Sequence, residues 1–588
     1  MKNSNRLKKE LALPFLLLGF ALASCGSNKQ EIADTVVYSK IYTSNENHDF
    51  AEAFAIKDGK YIYVGSKDGV KPYIQEGKTK VLDKSSSFIM NGATEGHAHY
   101  ITGAVMQAKG FTKSVGTIEG VVDFLKETKK NNPSLSLYLT NGWSNLDLKS
   151  AKETTDVRSL LDEVESEKPV LMIDNTGHNI FMNSKTIELA GIDETTNPNW
   201  SIDGGHLARD TNGRLLGLAS DIAMNYVWNK VVKTTTFLTS EDFVDALDNC
   251  QKNLHSQGYT SYVDGYASYF GDAAFKGIRD YDNSKGLKLV IEASYKIDPF
   301  EDVDANLEIV SNIKKTCTTS RFSPDNVKLF ADGECVESLS GWVLTPTPYK
   351  NGTTGTQVWQ DEAMDDVVRK ANAMGLNAHV HTSGDAACKQ AVDAMVKAEA
   401  TAQKGVRNSL AHCFAISEET RTKMAEHGIT ASVGVTWRVL PDYAINVLTP
   451  DFDMDWFLKG YPMKSLLNKG INITCSTDYP ANSGGPTDML GLMQIAVSGT
   501  TGPKIYEGYD QVSFSSDEYL SVVEAMDMFT INGARQMGTQ ETRGSIEVGK
   551  YADFLILGKD ITTISKSEIY NAGVNEVFFE GESVYTAE

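Results

Sequence analysis

The stretch Asn91-Gly92-Ala93-Thr94-Glu95-Gly96-His97-Ala98-His99 decides how this chain is read. It reads as extended, and His97 and His99 stand two apart, so both imidazoles project to the same face. Two neutral imidazoles side by side suit a zinc-like divalent ion. Alone the pair is weak evidence, because such pairs also arise by chance in cores and on surfaces. Its meaning rests on what the rest of the chain places around it.

Working outward, apolar strand-like runs alternate with helix-like stretches, the pattern of parallel βα units. Candidate strands end near His97, Asp264, Lys296, Asp332, His381, His412, Val435 and Asp478. That is the set a closed (β/α)8 TIM barrel requires. The gap between the first and second is far longer than one βα unit needs, so residues from about 110 to 245 are read as an insertion at the barrel mouth. Short β-like runs before residue 90 are separated by Asp58-Gly59 and Asp68-Gly69 turns, and the same texture returns at Asp553 to Leu557 and Glu576 to Phe579. The expected architecture is therefore α/β: a barrel over 91–535 and a small β-sandwich domain built from both termini, 25–90 and 536–588.

More candidate ligands fall at the ends of the strand-like runs: Lys328, His381, His412 and Asp478. Barrel enzymes place their catalytic groups there. Of the ten histidines, His48, His255 and His427 lie outside this pattern.

This order of HxH, Lys, His, His and Asp resembles the amidohydrolase superfamily. Within it the chain is most similar to the amidohydrolase family 3 branch, which includes deformylases of N-substituted formamides. The likeness rests on Val380-His381-Thr382-Ser383-Gly384-Asp385-Ala386-Ala387, Val327-Lys328-Leu329-Phe330-Ala331-Asp332-Gly333, Gly177-His178 with Asn183-Ser184-Lys185, Thr530-Ile531-Asn532-Gly533-Ala534, and the closing run Gly544 to Asp553. These segments span nearly the whole chain. Departures are Gly96 ahead of the first histidine, with Glu95 displaced one position earlier, Thr176-Gly177 in place of Asp-Gly, and Glu334-Cys335 after Asp332-Gly333.

The resemblance implies one or two divalent ions, zinc by preference. His97 and His99 would hold the more buried ion with Asp478 opposite, and His381 and His412 a second. Lys328 cannot bind a metal as an ammonium and would bridge the ions as a carboxylated lysine. A metal lowers the pKa of its water from about 15.7 toward 7. Asp478 would take the proton and deliver it to the leaving amine. His178 would polarise the substrate carbonyl. Fainter candidates are His379, which shares a face with His381 and suits a supporting hydrogen bond, and Trp143, His206 and Trp437 as pocket-lining residues. The expected reaction is hydrolysis of an amide, N-formyl or N-acyl C–N bond in a small molecule. Deamination or cyclic-amide opening would use the same ligands. An inactive binding protein is disfavoured, because a binder needs no such complete set.

The ends and the bulk composition add a setting. Lys2, Arg6, Lys8 and Lys9 precede the apolar run Leu11 to Ala23, too short to span a bilayer, as in a signal peptide. Leu22-Ala23-Ser24-Cys25 resembles a bacterial lipobox, so residues 1–24 are expected to be removed and Cys25 lipidated, giving an exported protein anchored to a membrane. Net charge is −21 for 588 residues, and loss of residues 1–24, with four basic groups and Glu10, makes it −24. Such acidity repels nucleic acid, and no basic patch offsets it. The other six cysteines show no metal-like spacing and are read as buried thiols. Oligomeric state leaves no trace in the sequence.

Overall fold

The computed structural model describes residues 31–587 except 146, 197–204, 234, 236, 336–338, 441–444, 447, 482–484 and 503–511. The expected leader, 1–24, and the expected lipidation site Cys25 lie outside the described residues.

Eight parallel strands follow one another in chain order around the centre: β1 (Ala93–Ala98), β2 (Tyr259–Asp264), β3 (Val290–Lys296), β4 (Phe322–Phe330), β5 (Asn377–Thr382), β6 (Ser409–His412), β7 (Thr430–Val433) and β8 (Ile473–Cys475). Strands β2, β3 and β5 are buried at every position, as parallel strands covered on both faces must be. Beyond its last strand residue, β8 returns to β1: the Asp478 amide donates to the His97 carbonyl at 3.0 Å, and the His99 amide to the Tyr479 carbonyl at 2.7 Å. The barrel thus closes through the residues that carry the candidate ligands. The eight strand ends expected from the sequence all lie at this rim.

Gly96 shows how narrow the barrel is below the rim. A Cβ there would meet Thr474 Oγ1 at 2.5 Å and Ser432 Oγ at 2.8 Å. Only glycine fits among these small hydroxyl side chains.

Between β1 and β2 the insertion is a folded layer with its own core, not a long loop. Six strands pair in the order His206–Arg209, Leu215–Ser220, Asn179–Met182, Val170–Asp174, Tyr138–Trp143, Thr112–Val115. Phe124, Leu125, Trp143, Leu161, Phe181 and Leu218 pack into a core separate from the barrel's. Helix Ile222–Val231 follows the last of these strands, and helix Ser240–Ser256 leads back to β2.

Strands from both ends of the chain share one seven-stranded sheet, in which Phe554–Leu557 pairs with Lys80–Asn91. This sheet curls strongly. Phe54 and Phe554 sit on strands separated by two others, yet their rings are 5.0 Å apart, edge to face. The sandwich expected from the sequence is thus one continuous sheet facing itself. No described helix is long and apolar enough to cross a membrane.

Candidate metal centre

The rim residues converge. His97 Nε2 lies 3.2 Å, and His99 Nε2 3.0 Å, from the same Asp478 oxygen. The ligand atoms of His97, His412 and Asp478 all fall within 4.8 Å of one another. The rings of His381 and His412 meet at 4.5 Å, and those of His97 and His412 at 5.0 Å. The tightest group therefore takes one histidine from each sequence pair, whereas the sequence reading kept His97 with His99 and His381 with His412. Lys328 Nζ points into the same cluster, 3.5 Å from His97 Nε2.

The donor set fits a divalent cation. Burial, reinforced by the charge of Lys328, holds the pKa of His97 and His381 well below the usual imidazole range. Burial beside His381 does the same for His412. All three are neutral and can offer a lone pair. Burial alone would raise Asp478, but the His99 hydrogen bond and the charge of Lys328 outweigh it and hold it well below the carboxylate range, so it is ionised. The buried His412 Nδ1 has no hydrogen-bond partner among the described residues, a costly state unless something fills it. Ligand atoms about 2.0–2.1 Å from a tetrahedral zinc stand about 3.3 Å apart, close to the spacings around Asp478.

The backbone is strained where these groups project. His412 (φ 73°), Cys413 (φ 55°) and Asp478 (φ 55°) are left-handed without being glycine, a conformation that costs energy and concentrates at functional sites. Gly265 gives the room His97 needs, since a Cβ there would lie 2.1 Å from the His97 ring.

Supporting hydrogen bonds fix the ligands. His97 Nδ1 is 2.6 Å from His379 Nε2, and His379 Nδ1 is 2.6 Å from Ser409 Oγ. With His97 Nε2 facing the cluster, its Nδ1–H donates to His379 and the pair is locked in one tautomer. Glu95, read from the sequence as a displaced acid, ties β1 to β8. Its Oε1 accepts from the amides of both His97 and Thr477 at 3.0 Å, while burial raises its pKa to about 8. Asp332 accepts amide hydrogens from Trp342, Ser383 and Gly384, pinning two rim loops together beside His381.

His178 faces this cluster from the insertion, its ring 5.7 Å from that of His381. Its Nδ1 is 2.9 Å from Asp221 Oδ1. Burial opposes its protonation, but the Asp221 hydrogen bond and charge prevail and raise its pKa to about 9. The imidazolium keeps Nε2–H free for the cavity. Asp221 too has a left-handed backbone, φ 52°.

An amidohydrolase family model matches residues 88–585. The chain belongs to the amidohydrolase family. It is 25% identical over 553 residues to YtcJ of Bacillus subtilis (strain 168), covering 93% of this chain and 98% of that one. It is 21% identical over 579 residues to the N-substituted formamide deformylase of Arthrobacter pascens, covering 93% and 97%. An uncharacterised metal-dependent hydrolase from Pyrococcus horikoshii shares the fold, with a TM-score of 0.67 at 20% identity over 90% of this chain and 99% of that one.

In this amidohydrolase the fainter sequence candidates separate. His379 stands behind His97 and not on the cavity wall, so it supports a ligand and does not line the pocket. Trp437 packs near the rim, 5.5 Å from the His412 ring, but is not among the cavity-lining residues. Trp143 is a packing residue: its indole stacks on Phe181 at 4.3 Å and donates to the Met172 carbonyl inside the insertion core. His206 is exposed and bonds Glu153 at 2.7 Å. Both lie away from the cavity because their strands carry them to the insertion's own core and surface. The sequence reading missed Asp221, Gly265 and the helix Ile222–Val231. Asp264 was legible as a strand end, yet its place 4.0 Å from His99 was not.

Proposed function

We propose that this metal-dependent amidohydrolase hydrolyses the C–N bond of an N-formyl or other N-acyl amine, with zinc as its metal. The observation carrying this reading is the opposition of two groups across one cavity: ionised Asp478 beside His97 and His99, and protonated His178 held by Asp221. His97, His412 and Asp478, with His99 and His381 adjacent, would hold a divalent cation, whose Lewis acidity would make water a usable nucleophile at neutral pH. Asp478, ionised throughout the working range, accepts the proton of the attacking water and passes it to the departing nitrogen. His178 donates its Nε2–H to the carbonyl oxygen as negative charge develops there. The named activity of the Arthrobacter pascens relative supports the choice of bond.

Lys328 is assigned as the residue carboxylated by CO2. Burial lowers its pKa to about 7, so a neutral amine is available to form the carbamate with release of a proton. The lipobox-like run Leu22-Ala23-Ser24-Cys25 after a basic, apolar start supports export and lipid anchoring as part of this reading. The test is hydrolysis of N-formyl, N-acetyl and cyclic amides by the zinc-loaded chain. Release of free amine that stops when zinc is chelated and resumes on its return is the expected result. Cleavage indifferent to the chelator would overturn the reading.

A further inference from the structure

We infer that the enzyme takes an uncharged substrate whose bulkier substituent lies against the insertion helix Ile222–Val231, where Asn225 reads a neutral hydrogen-bonding group. The inference rests on the C–N hydrolase reading and adds what the site admits.

The cavity at the rim encloses about 1020 Å³, part of it open to solvent. One wall is a single helix face: Ile222, Met224, Asn225 and Trp228 all line it, following Asp221 at the helix start. Tyr266, Tyr269 and Phe330 continue this apolar surface on the barrel side. Among the described lining residues the only lysine or arginine is Lys328, turned into the ligand cluster. The nearby Lys296 is buried behind the Tyr266 and Phe330 rings and paired with Asp298 at 3.1 Å, and Lys233 pairs with Glu301. A substrate carboxylate against the helix face would be desolvated with only the His178 imidazolium in reach, whose charge Asp221 at 2.9 Å already balances, which is unfavourable. A substrate cation fares no better, because Asp221 is engaged by His178 and Asp332 by three backbone amides.

Asn225 is the polar exception on the helix face. It is half-buried, and no side-chain hydrogen bond to another described residue engages its carboxamide. The amide can donate and accept at once, so it suits a carbonyl, hydroxyl or amide on the substrate. A protein group in this position that served only packing would be apolar like its neighbours.

The test uses the zinc-loaded full chain and three N-acetylated amines alike except for a remote carboxamide, carboxylate or ammonium. The carboxamide compound is expected to exceed both charged ones by at least 30-fold in kcat/KM. Calorimetry on the same three should show the carboxamide binding at least tenfold tighter. N225R should improve the carboxylate compound tenfold or more while N225A raises KM for the carboxamide with kcat little changed. A charged compound processed within threefold of the neutral one overturns the inference while leaving C–N hydrolysis intact. If none is cleaved, the hydrolase reading fails for these amides, and the order of calorimetric affinities alone decides the inference. Equal responses of both Asn225 variants to all three compounds would remove Asn225 from the recognition.

Discussion

The barrel rim and the insertion wall face each other across one cavity, and they are built by different rules. On the rim, His97, His381, His412 and Asp478 sit at or just past the ends of parallel strands, so sheet register places them. On the wall, His178 and Asp221 are positioned by a short turn and a strand end within an inserted layer with its own core. In the proposed reaction the rim carries the metal and proton chemistry. In the same reaction the wall would carry the carbonyl contact and the surface the substrate meets. Metal-side and substrate-side groups thus stand on different elements that share one core across the insertion sheet's inner face, and substitutions should separate them.

The largest effect falls on the rim. Asp478→Asn removes the proton acceptor and should lower kcat by about 10³-fold or more, with an unchanged circular dichroism spectrum. Substantial residual turnover would refute the proton role. Across the cavity, His178→Ala should cost about 10²–10³ in kcat, the scale of one lost oxyanion donor. Its pH signature is distinct. The imidazolium persists below about 9, so the rate it supports is constant at lower pH and falls as pH rises through that value. In Asp221→Asn the interaction that raises the pKa is gone, and the fall should move to lower pH. A profile that stays put would dissociate His178 from the step.

Behind the rim, His379→Phe removes the partner of His97 Nδ1 and should weaken zinc binding by about 10–100-fold, read by competition with a fluorescent chelator. The smallest catalytic effect belongs to Trp143→Ala. Loss of a buried indole should cost about 3–5 kcal/mol of stability, seen in denaturant unfolding, while KM and kcat of the folded enzyme stay within about twofold. A changed KM would return Trp143 to the substrate site.

The same contrast explains what could be read from the sequence. The candidate ligands at strand ends were legible because each side chain and the β-pattern that places it are adjacent in sequence, as in Leu410-Ala411-His412. The terminal sheet was legible in its turns, but its curl depends on contacts such as Phe54 with Phe554 that no local pattern encodes. Trp143 and His206 were misplaced because composition does not say which core a strand in an insertion serves. Asp221 was invisible for a related reason: its function comes from a left-handed backbone and from His178, 43 residues away in the chain. Regrouping His412 with His97 likewise needed the closure of the barrel.

Zinc content measured with affinity tests the central claim most directly. Elemental analysis of the purified, zinc-equilibrated chain should find at least one tightly held ion per molecule, lost in both His97→Ala and His412→Ala while the fold persists. Retention of the full zinc content in both variants, or no bound zinc in the parent chain, would contradict a metal centre built on these residues.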